Sequence, residues 1–409
     1  MTQSTVLKPS SHSSAPASAL SVETLLTRAE RLLPEIGTGS ATRERERQLP
    51  FDAVRQIADA LLYTVRIPVR YGGPGGSVRD VIGLLIRIAS VDSNVAQALR
   101  PGYGFVEGLL ASTAEGAEQE RLRWFERYLQ GAVLGNAGWE VGGANGAISA
   151  RIVAEGEHYR ATGSKFYSTG SLYADWVSAV ALDKDDQPVS FVVPRGREGL
   201  ELLDDFDAMG QRLTASGTTR LNDVKVYANE IRTRTVEEGK RTIVTPFLQL
   251  FLAAVQAGIA RNALNDAVCF AREHARPIKH SSATRSVDDP YVELSVGEIS
   301  ARAYTAQAVV LSAADAIDRA WASGLDPAAV DQAAIEVAQA QYIAAESALK
   351  ASERVFDVGG ASTTGRGHNL DRHWRNARTV ANHNPRDWKA AAVGAWQLKG
   401  TPPPTSGLF

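Results

Sequence analysis

Cysteine is almost absent from this sequence, since Cys269 is the single one among 409 residues. One cysteine can form neither an intrachain disulfide nor a cluster of thiolate metal ligands. The seven histidines are scattered and lack the paired spacing of zinc ligands, so we expect no metal site. Cys269 lies in the apolar stretch NDAVCFA, which favours a buried small residue over a reactive thiol.

An excess of charge is also lacking, because 44 Lys and Arg residues face 46 Asp and Glu residues. This balance gives no reason to expect nucleic acid or an anionic membrane as a partner. The longest apolar runs, such as FLQLFLAAVQAGIA, fall short of the roughly 18 residues that span a bilayer. Residues 1–20 lack the charged start and apolar run of a signal peptide, and we interpret them as a disordered tail. We therefore expect a cytoplasmic protein.

Hydrophobic periodicity divides the rest of the chain into three regions, as the length also suggests. Residues 21–133 repeat apolar side chains every three to four positions, which predicts a helical domain. Residues 134–235 contain five or more short β-branched and aromatic runs separated by turns, which predicts an antiparallel barrel or sandwich. Residues 236–409 return to helical periodicity with many alanines, which predicts a helical bundle. The fold class is α+β and multidomain.

Two details of the last region carry further expectations. Asp326 and Pro327 stand where a helix N-cap and first helical residue belong. The polar segment 277–291 interrupts the bundle, and a loop of that length is either disordered or a functional lid.

The glycines of YGGPGG lack the strand-to-helix context of a dinucleotide site, so a Rossmann interpretation is weak.

The stretch NLDRHWRNARTVANHNP, residues 369–385, concentrates cations in a nearly neutral chain. The overall charge argues against a nucleic-acid surface. We interpret Arg372, Arg375 and Arg378 as structural or close to a cofactor. His383 and Asn384 are the two residues of this stretch that bear on the type of reaction.

Four motifs in this order resemble those of the acyl-CoA dehydrogenase superfamily: IPVRYGGPGG, GNAGWEVGGANG at 135–146, GSKFYSTGSLYADW at 163–176 and MGQRLTASGTTRLNDVKV at 209–226. Within it, AREHARP, DDPYVELSVGEI and DRHWRNARTVANHNPRDWKAAAVG are most similar to the FMNH2-dependent monooxygenases of the dibenzothiophene monooxygenase and sulfur acquisition type. The resemblance implies an N-terminal helical domain, a central antiparallel β-barrel, a C-terminal four-helix bundle and a homotetramer.

The resemblance also implies a function. Such an enzyme takes reduced FMN from a separate NAD(P)H:FMN reductase and, through a flavin C4a-hydroperoxide, uses O2 to oxygenate a small organosulfur compound, either a sulfinate or a sulfone. A FAD-dependent acyl-CoA dehydrogenase and a catalytically silent scaffold of the same fold remain alternatives. The commonest dehydrogenase pattern places its catalytic glutamate at Asn384, where an amide cannot accept the proton. Glu298 and Glu336 remain candidate bases on other helices.

The site residues follow from the same resemblance. His383 would handle a proton or hydrogen bond at the oxygenated flavin, unless it is a helix-end histidine satisfied by a backbone carbonyl. Thr169 would meet flavin N5, unless it is a strand threonine chosen for β propensity. Arg272 and Arg276 would bind the flavin phosphate, unless they are solvated charges at a helix end.

The remaining candidates fall into three groups. The flavin is expected to lie against Asn136, Trp139 and Tyr167, and Asn136 is also counted as catalytic. Ser362 and Thr363 fall where the family handles the phosphate end of the cofactor, often from a neighbouring subunit. Ser362 replaces an arginine of the dibenzothiophene-type enzymes. The substrate pocket would include Gln97, in place of a second histidine, with Tyr103 and Asn384.

Overall fold

The computed structural model describes residues 20–141, 147–232, 241–407 and 409. The predicted tail 1–20 lies outside the described residues apart from its last position. The expected boundary between 235 and 236, and the last five residues of the 135–146 motif, also lie outside them.

Seven helices precede the first strand in the described residues: α1 Val22–Gly37, α2 Ser40–Glu46, α3 Phe51–Asp59, α4 Val78–Ala89, α5 Ser93–Ala98, α6 Arg100–Ala111 and α7 Ala117–Leu129. The Ser21 hydroxyl caps α1 by accepting from the Thr24 backbone N–H at 3.1 Å. Ser77 and Asp80 form a capping box at α4. The sequence patterns predict α1, α3, α4 and α7, but they miss the short helices α2 and α5 and the glycine-containing α6, whose apolar patterns are brief or interrupted.

The strands are β1 Leu134–Ala137, β2 Arg151–Glu155, β3 His158–Lys165, β4 Trp176–Leu182, β5 Pro188–Pro194, β6 Leu200–Leu202, β7 Thr219–Tyr227 and β8 Ile231–Arg232. In the described residues they form one sheet in the order β6-β7-β3-β2-β4-β5-β8, with β1 paired to β4. The expectation of a purely antiparallel arrangement is wrong, because β1 runs parallel to β4, and so does β2 where Arg151 pairs with Leu182. Alternation of side chains gives strand position but does not encode strand direction.

The last part of the described chain is helical: α8 Val244–Glu273, α9 Pro290–Ala322, α10 Pro327–Arg354, α11 Arg372–Ala381 and α12 Arg386–Lys399. The three long helices pack on one another, and α11 and α12 pack against α10. Asp326 caps α10 as predicted, since its carboxylate accepts from the Ala328 and Ala329 backbone N–H groups. The polar interruption lies between α8 and α9, which begins at Pro290.

Helix α8 corrects one expectation from the sequence. Among the described residues it is the one helix that is long and apolar enough to cross a membrane. Counting only uninterrupted apolar runs in the sequence predicts no such segment. Inside the protein, however, 78% of its most apolar window is buried. This burial is typical of the central helix of a packed core, because its neighbours α4, α9, α10 and α11 cover it from several sides.

Three of the four basic residues of α11 pair with acids that are distant in sequence. Arg372 and His373 both contact the Asp266 carboxylate of α8, at 2.5 and 2.8 Å. Arg375 pairs with the buried carboxylate of Glu44 in α2 at 2.5 Å. These ion pairs attach α11 to two other helices, which supports a structural interpretation of Arg372 and Arg375.

The expectation that Cys269 is buried is wrong. It lies on the exposed side of α8, because the apolar stretch around it buries Ala267 and Phe270 instead. Partial desolvation by nearby protein atoms and a hydrogen bond to the Glu273 carboxylate raise the pKa of Cys269, which disfavours the reactive thiolate.

Candidate active site

The two segments expected to face a flavin lie side by side. The Asn136 backbone N–H, in β1, donates to the Thr169 carbonyl at 3.2 Å. The Phe166 backbone N–H donates to the Trp139 carbonyl at 2.9 Å. Tyr167 has a φ of 55° in the turn that follows β3. The structure therefore brings Asn136, Trp139, Tyr167 and Thr169 into one surface region.

This surface has the mixed character that a flavin ring requires. The side chains of Trp139 and Tyr167 are 46% and 54% exposed, which is unusual for large aromatic residues. Beside them, the half-buried Thr169 hydroxyl is 3.0 Å from the Ser216 hydroxyl, which is 2.8 Å from that of Thr214. Exposed aromatic faces next to hydroxyl groups fit a planar ligand with apolar faces and polar edges.

A buried ion pair that sequence reasoning missed joins the two segments. Lys165, at the end of β3, donates to the Glu140 carboxylate at 2.5 Å, and their side chains are 0% and 7% exposed. The Glu140 carboxylate also accepts from the Ser149 backbone N–H and hydroxyl and from the Ala150 backbone N–H. Burial alone would raise the pKa of Glu140, but these donors lower it to about 2. The pair fixes Trp139 against the Phe166–Thr169 turn.

The junction of α5 and α6 packs directly on that turn. Gly170 has a φ of 74°, and a Cβ there would lie 2.5 Å from the Ala98 carbonyl oxygen. Only glycine satisfies both the left-handed backbone and this close approach. The next residues of the junction include Arg100, a cation that sequence analysis did not single out. Its Nε donates to the Leu248 carbonyl of α8 at 3.3 Å.

His383 follows α11, and Arg100 is close enough to affect its titration. The imidazole has an exposed edge, yet the protein around it and the Arg100 cation lower the pKa of His383 to about 4. At neutral pH the ring is therefore uncharged. The α5–α6 junction thus contacts the Thr169–Gly170 turn and carries a cation that acts on His383.

A chain of amides fixes the tautomer of His383. His383 Nδ1 is 3.2 Å from the Asn384 side-chain oxygen, which can only accept, so Nδ1 carries the proton. The buried Asn384 amide donates in turn to the Gln249 side-chain oxygen. The Gln249 amide donates to the Gly407 carbonyl at 3.4 Å. Nε2 of His383 is consequently left as a hydrogen-bond acceptor.

The three residues expected in the substrate pocket have different environments. Asn384 is buried behind His383 and orients it. Gln97 is buried in α5, and its side-chain oxygen has no hydrogen-bond partner among the described residues. Tyr103 is 2% exposed, and its hydroxyl donates to the Leu62 carbonyl at 2.8 Å within an aromatic core cluster. Tyr103 therefore has a packing role in this structure.

The expected phosphate-binding residues lie elsewhere in the same chain. Arg272 and Arg276 are exposed at the end of α8. Ser362 and Thr363 belong to the turn that packs there, since a Cβ at Gly359 would lie 2.3 Å from the Phe270 ring. Ser362 is exposed. The Thr363 hydroxyl donates to the Phe356 and Gly360 carbonyls, at 3.0 and 2.6 Å.

The position along α8 separates this group from His383. Asn384 contacts Gln249, whereas the phosphate candidates surround residues 270–276. At 1.5 Å per residue, Gln249 and residue 270 are about 32 Å apart along the helix axis. The structure therefore does not bring His383 and the phosphate candidates of the same chain together.

Comparisons with known proteins show which proteins the chain is similar to. Residues 250–388 match the family model of the acyl-CoA dehydrogenase C-terminal domain. The dibenzothiophene monooxygenase of Mycolicibacterium goodii is 29% identical over 88% of each chain. A probable FMNH2-dependent monooxygenase, SfnC, of Pseudomonas putida is also 29% identical, over 87% of this chain and 89% of its own.

Solved structures show the same similarity. FMN-bound TdsC from Paenibacillus sp. A11-2 superposes with a TM-score of 0.85 at 26% identity, over 93% of this chain and 100% of its own. The methanesulfinate monooxygenase MsuC from Pseudomonas fluorescens gives a TM-score of 0.83 at 27% identity, over 94% and 99%. The chain has the acyl-CoA dehydrogenase-like fold, with helical parts around a mixed sheet. Its resemblance within that superfamily to FMNH2-dependent monooxygenases is confirmed.

Proposed function

We propose that this protein is a two-component flavin-dependent monooxygenase that uses reduced FMN and O2 to oxygenate a small organosulfur compound, a sulfinate or a sulfone, in sulfur acquisition. The observation that carries the proposal is the pairing of an uncharged His383 with Asn384, where the commonest dehydrogenase pattern has its carboxylate base. The relatives named for sulfur compounds, including MsuC and the dibenzothiophene monooxygenases, support the substrate class.

Reduced flavin, when bound, supplies the electrons that activate O2. The residues of this chain would bind and orient it. Trp139 and Tyr167 would cover the ring, and the Thr169 hydroxyl and the Asn136 amide would contact its polar edge. His383 Nε2, an acceptor held by the amide chain behind it, would take up or return a proton at the reacting oxygen.

The test is oxygen consumption and product formation with a reductase, reduced FMN and a panel of sulfinates, sulfones and thiophenes. His383→Gln should lower kcat on the order of 100-fold while the protein still binds reduced FMN. His158→Gln is the matched control, because His158 contacts Glu155 on the sheet surface. Unchanged turnover in His383→Gln would remove the role assigned to it, and no turnover of any sulfur compound by the wild type would favour a silent scaffold.

The two candidate bases of the dehydrogenase alternative are both held in ion pairs. Glu298 pairs with Arg354 at 2.9 Å, and Glu336 pairs with Arg319 at 2.9 Å. Each carboxylate is thus engaged by a guanidinium and does not stand free to face a substrate. The alternative predicts purified yellow protein that an acyl-CoA bleaches, and our proposal predicts no bleaching.

A homotetramer completes the proposal, because the phosphate candidates lie about 30 Å along α8 from His383 in the same chain. Arg272, Arg276 and Ser362 would then reach the FMN of a neighbouring copy. A separate NAD(P)H:FMN reductase would supply the flavin in the cytoplasm. We retain three domains, residues 21–133, 134–235 and 236–409, with the sheet closing as a barrel and the last helices forming a four-helix bundle.

A further inference from the structure

Arg100 is a cation without an acid. Its side chain is half-buried at the start of α6, and its one hydrogen bond among the described residues goes from Nε to the Leu248 carbonyl. No described carboxylate lies within 4.0 Å of its guanidinium. Burial lowers the pKa of Arg100 to about 10, so the group is still charged at neutral pH. A guanidinium carries five N–H donors, so most of those on Arg100 have no partner in the described protein.

Some partly buried arginines of the chain have a carboxylate partner. Arg66 pairs with Glu107 at 2.6 Å, and Arg375 pairs with Glu44 at 2.5 Å. An unpaired charge is costly to remove from water, so a site that keeps one usually gains an opposite charge from a ligand. Unlike Arg66 and Arg375, Arg100 has its charge and most of its donors available for a partner from outside the described chain.

The location of Arg100 identifies where that partner would bind. Two residues close to it in sequence, Ala98 and Pro101, contact Gly170, which is the residue that follows Thr169. Its charge acts on His383. Arg100 is thus adjacent in the chain to residues that contact the proposed flavin surface, and it is near enough to the proposed proton-handling imidazole to affect its pKa. A substrate held for oxygen transfer must lie close to both.

We propose that Arg100 binds the anionic group of the substrate and that this group is a sulfinate. This inference rests on the proposed function and deepens it, because a sulfinate is charged whereas a sulfone or thiophene is not. The planar guanidinium can donate two parallel hydrogen bonds to the two sulfinate oxygens. This contact would leave the sulfur lone pair free for oxygen transfer.

The reaction balances with the co-substrates of the proposed function. The sulfinate sulfur loses two electrons and gains one oxygen atom, which gives a sulfonate. Reduced FMN supplies the other two electrons, and the second atom of O2 leaves as water. The charge of the organic anion is the same before and after the step, so Arg100 would hold substrate and product alike.

The experiment measures binding separately from turnover. Titration calorimetry would compare methanesulfinate with dimethyl sulfone, a neutral compound of similar size, on wild type, Arg100→Met and Arg100→Lys. We expect Arg100→Met to raise the Kd and KM for methanesulfinate about 100-fold, as for loss of a hydrogen-bonded charge partner. Arg100→Lys should recover part of the affinity, because it keeps the charge without the planar fork. Arg87→Met, which removes an exposed cation paired with Glu30, is the matched control.

The outcomes separate this inference from the proposed function. Equal binding of methanesulfinate by wild type and Arg100→Met would overturn the role of Arg100, and so would a preference of the wild type for the sulfone. A similar loss of reduced FMN affinity in Arg100→Met would place the arginine at the flavin instead. Wild type that binds methanesulfinate through Arg100 but oxygenates no sulfur compound would refute the proposed function alone. If Arg100→Met does not fold, the charge preference of the wild type and the Arg100→Lys result still decide.

Discussion

Removing Glu140 should destabilise the protein far more than removing Lys165, although the two side chains form one ion pair. Glu140→Ala leaves the Lys165 ammonium, 0% exposed, without its carboxylate partner. Lys165→Met leaves the Glu140 carboxylate with three remaining donors, the Ser149 N–H and hydroxyl and the Ala150 N–H. The two variants delete the same contact but leave different groups unsatisfied.

The magnitudes follow from that asymmetry. An uncompensated buried charge costs about 3–5 kcal/mol in the free energy of unfolding, which we expect for Glu140→Ala. Lys165→Met should cost on the order of 1 kcal/mol, because hydrogen bonds to the charged carboxylate persist. The double variant Glu140→Gln/Lys165→Met should lie close to Lys165→Met, since no unpaired charge remains.

The pH dependence gives an independent measure. The pKa of Glu140 falls from its ordinary 4.5 to about 2 in the folded state, so the ionised form is the stabilised one. Its contribution is present above pH 4.5 and is lost as the pH falls towards about 2. A shift of this size corresponds to about 3 kcal/mol. Glu140→Ala should therefore lose less stability than the wild type between pH 5 and pH 3.

Urea denaturation followed by circular dichroism at several pH values measures these differences, provided that unfolding is two-state. Reduced FMN titration should show weaker binding for Glu140→Ala, because the pair positions Trp139. Equal costs for the two single variants, or a smaller cost for Glu140→Ala, would refute the reasoning.

Three further predictions concern packing and orientation. Asp266→Asn should cost ~3 kcal/mol by leaving a buried arginine unpaired, whereas Asp371→Asn, at an exposed pair, should cost about 0.5 kcal/mol or less in the same urea assay. Gly258→Ala should destabilise the protein by about 1–3 kcal/mol or more, because the added Cβ would lie 2.2 Å from a Cβ on α4. In Gly297→Ala the added Cβ meets nothing within 4 Å, so this control should stabilise the protein slightly. Gln249→Met should remove the hydrogen bond that holds Asn384, so that His383 populates both tautomers, which histidine ¹⁵N NMR would detect. The kcat should fall on the order of 10-fold. An unchanged His383 tautomer would contradict the orienting role of this amide chain.

The sequence alone determined most of the local structure. Periodicity located the long helices and the main strands, because apolar spacing follows directly from helix and strand geometry. Asp326 was predicted as a cap because capping depends on a few adjacent residues. Motif order indicates the superfamily, and the amide at Asn384 argues against a dehydrogenase from the sequence alone.

Only the tertiary structure decided which distant residues meet. Two of the acids that pair with the cations of α11, Asp266 and Glu44, lie in other helices, and no spacing rule links positions so far apart. The parallel pairing of β1 with β4 and the exposure of Cys269 depend on strand direction and on the side from which α8 is covered. The amide chain behind His383 and the isolation of Arg100 are likewise products of packing, because a side chain has or lacks a partner only once the chain has folded.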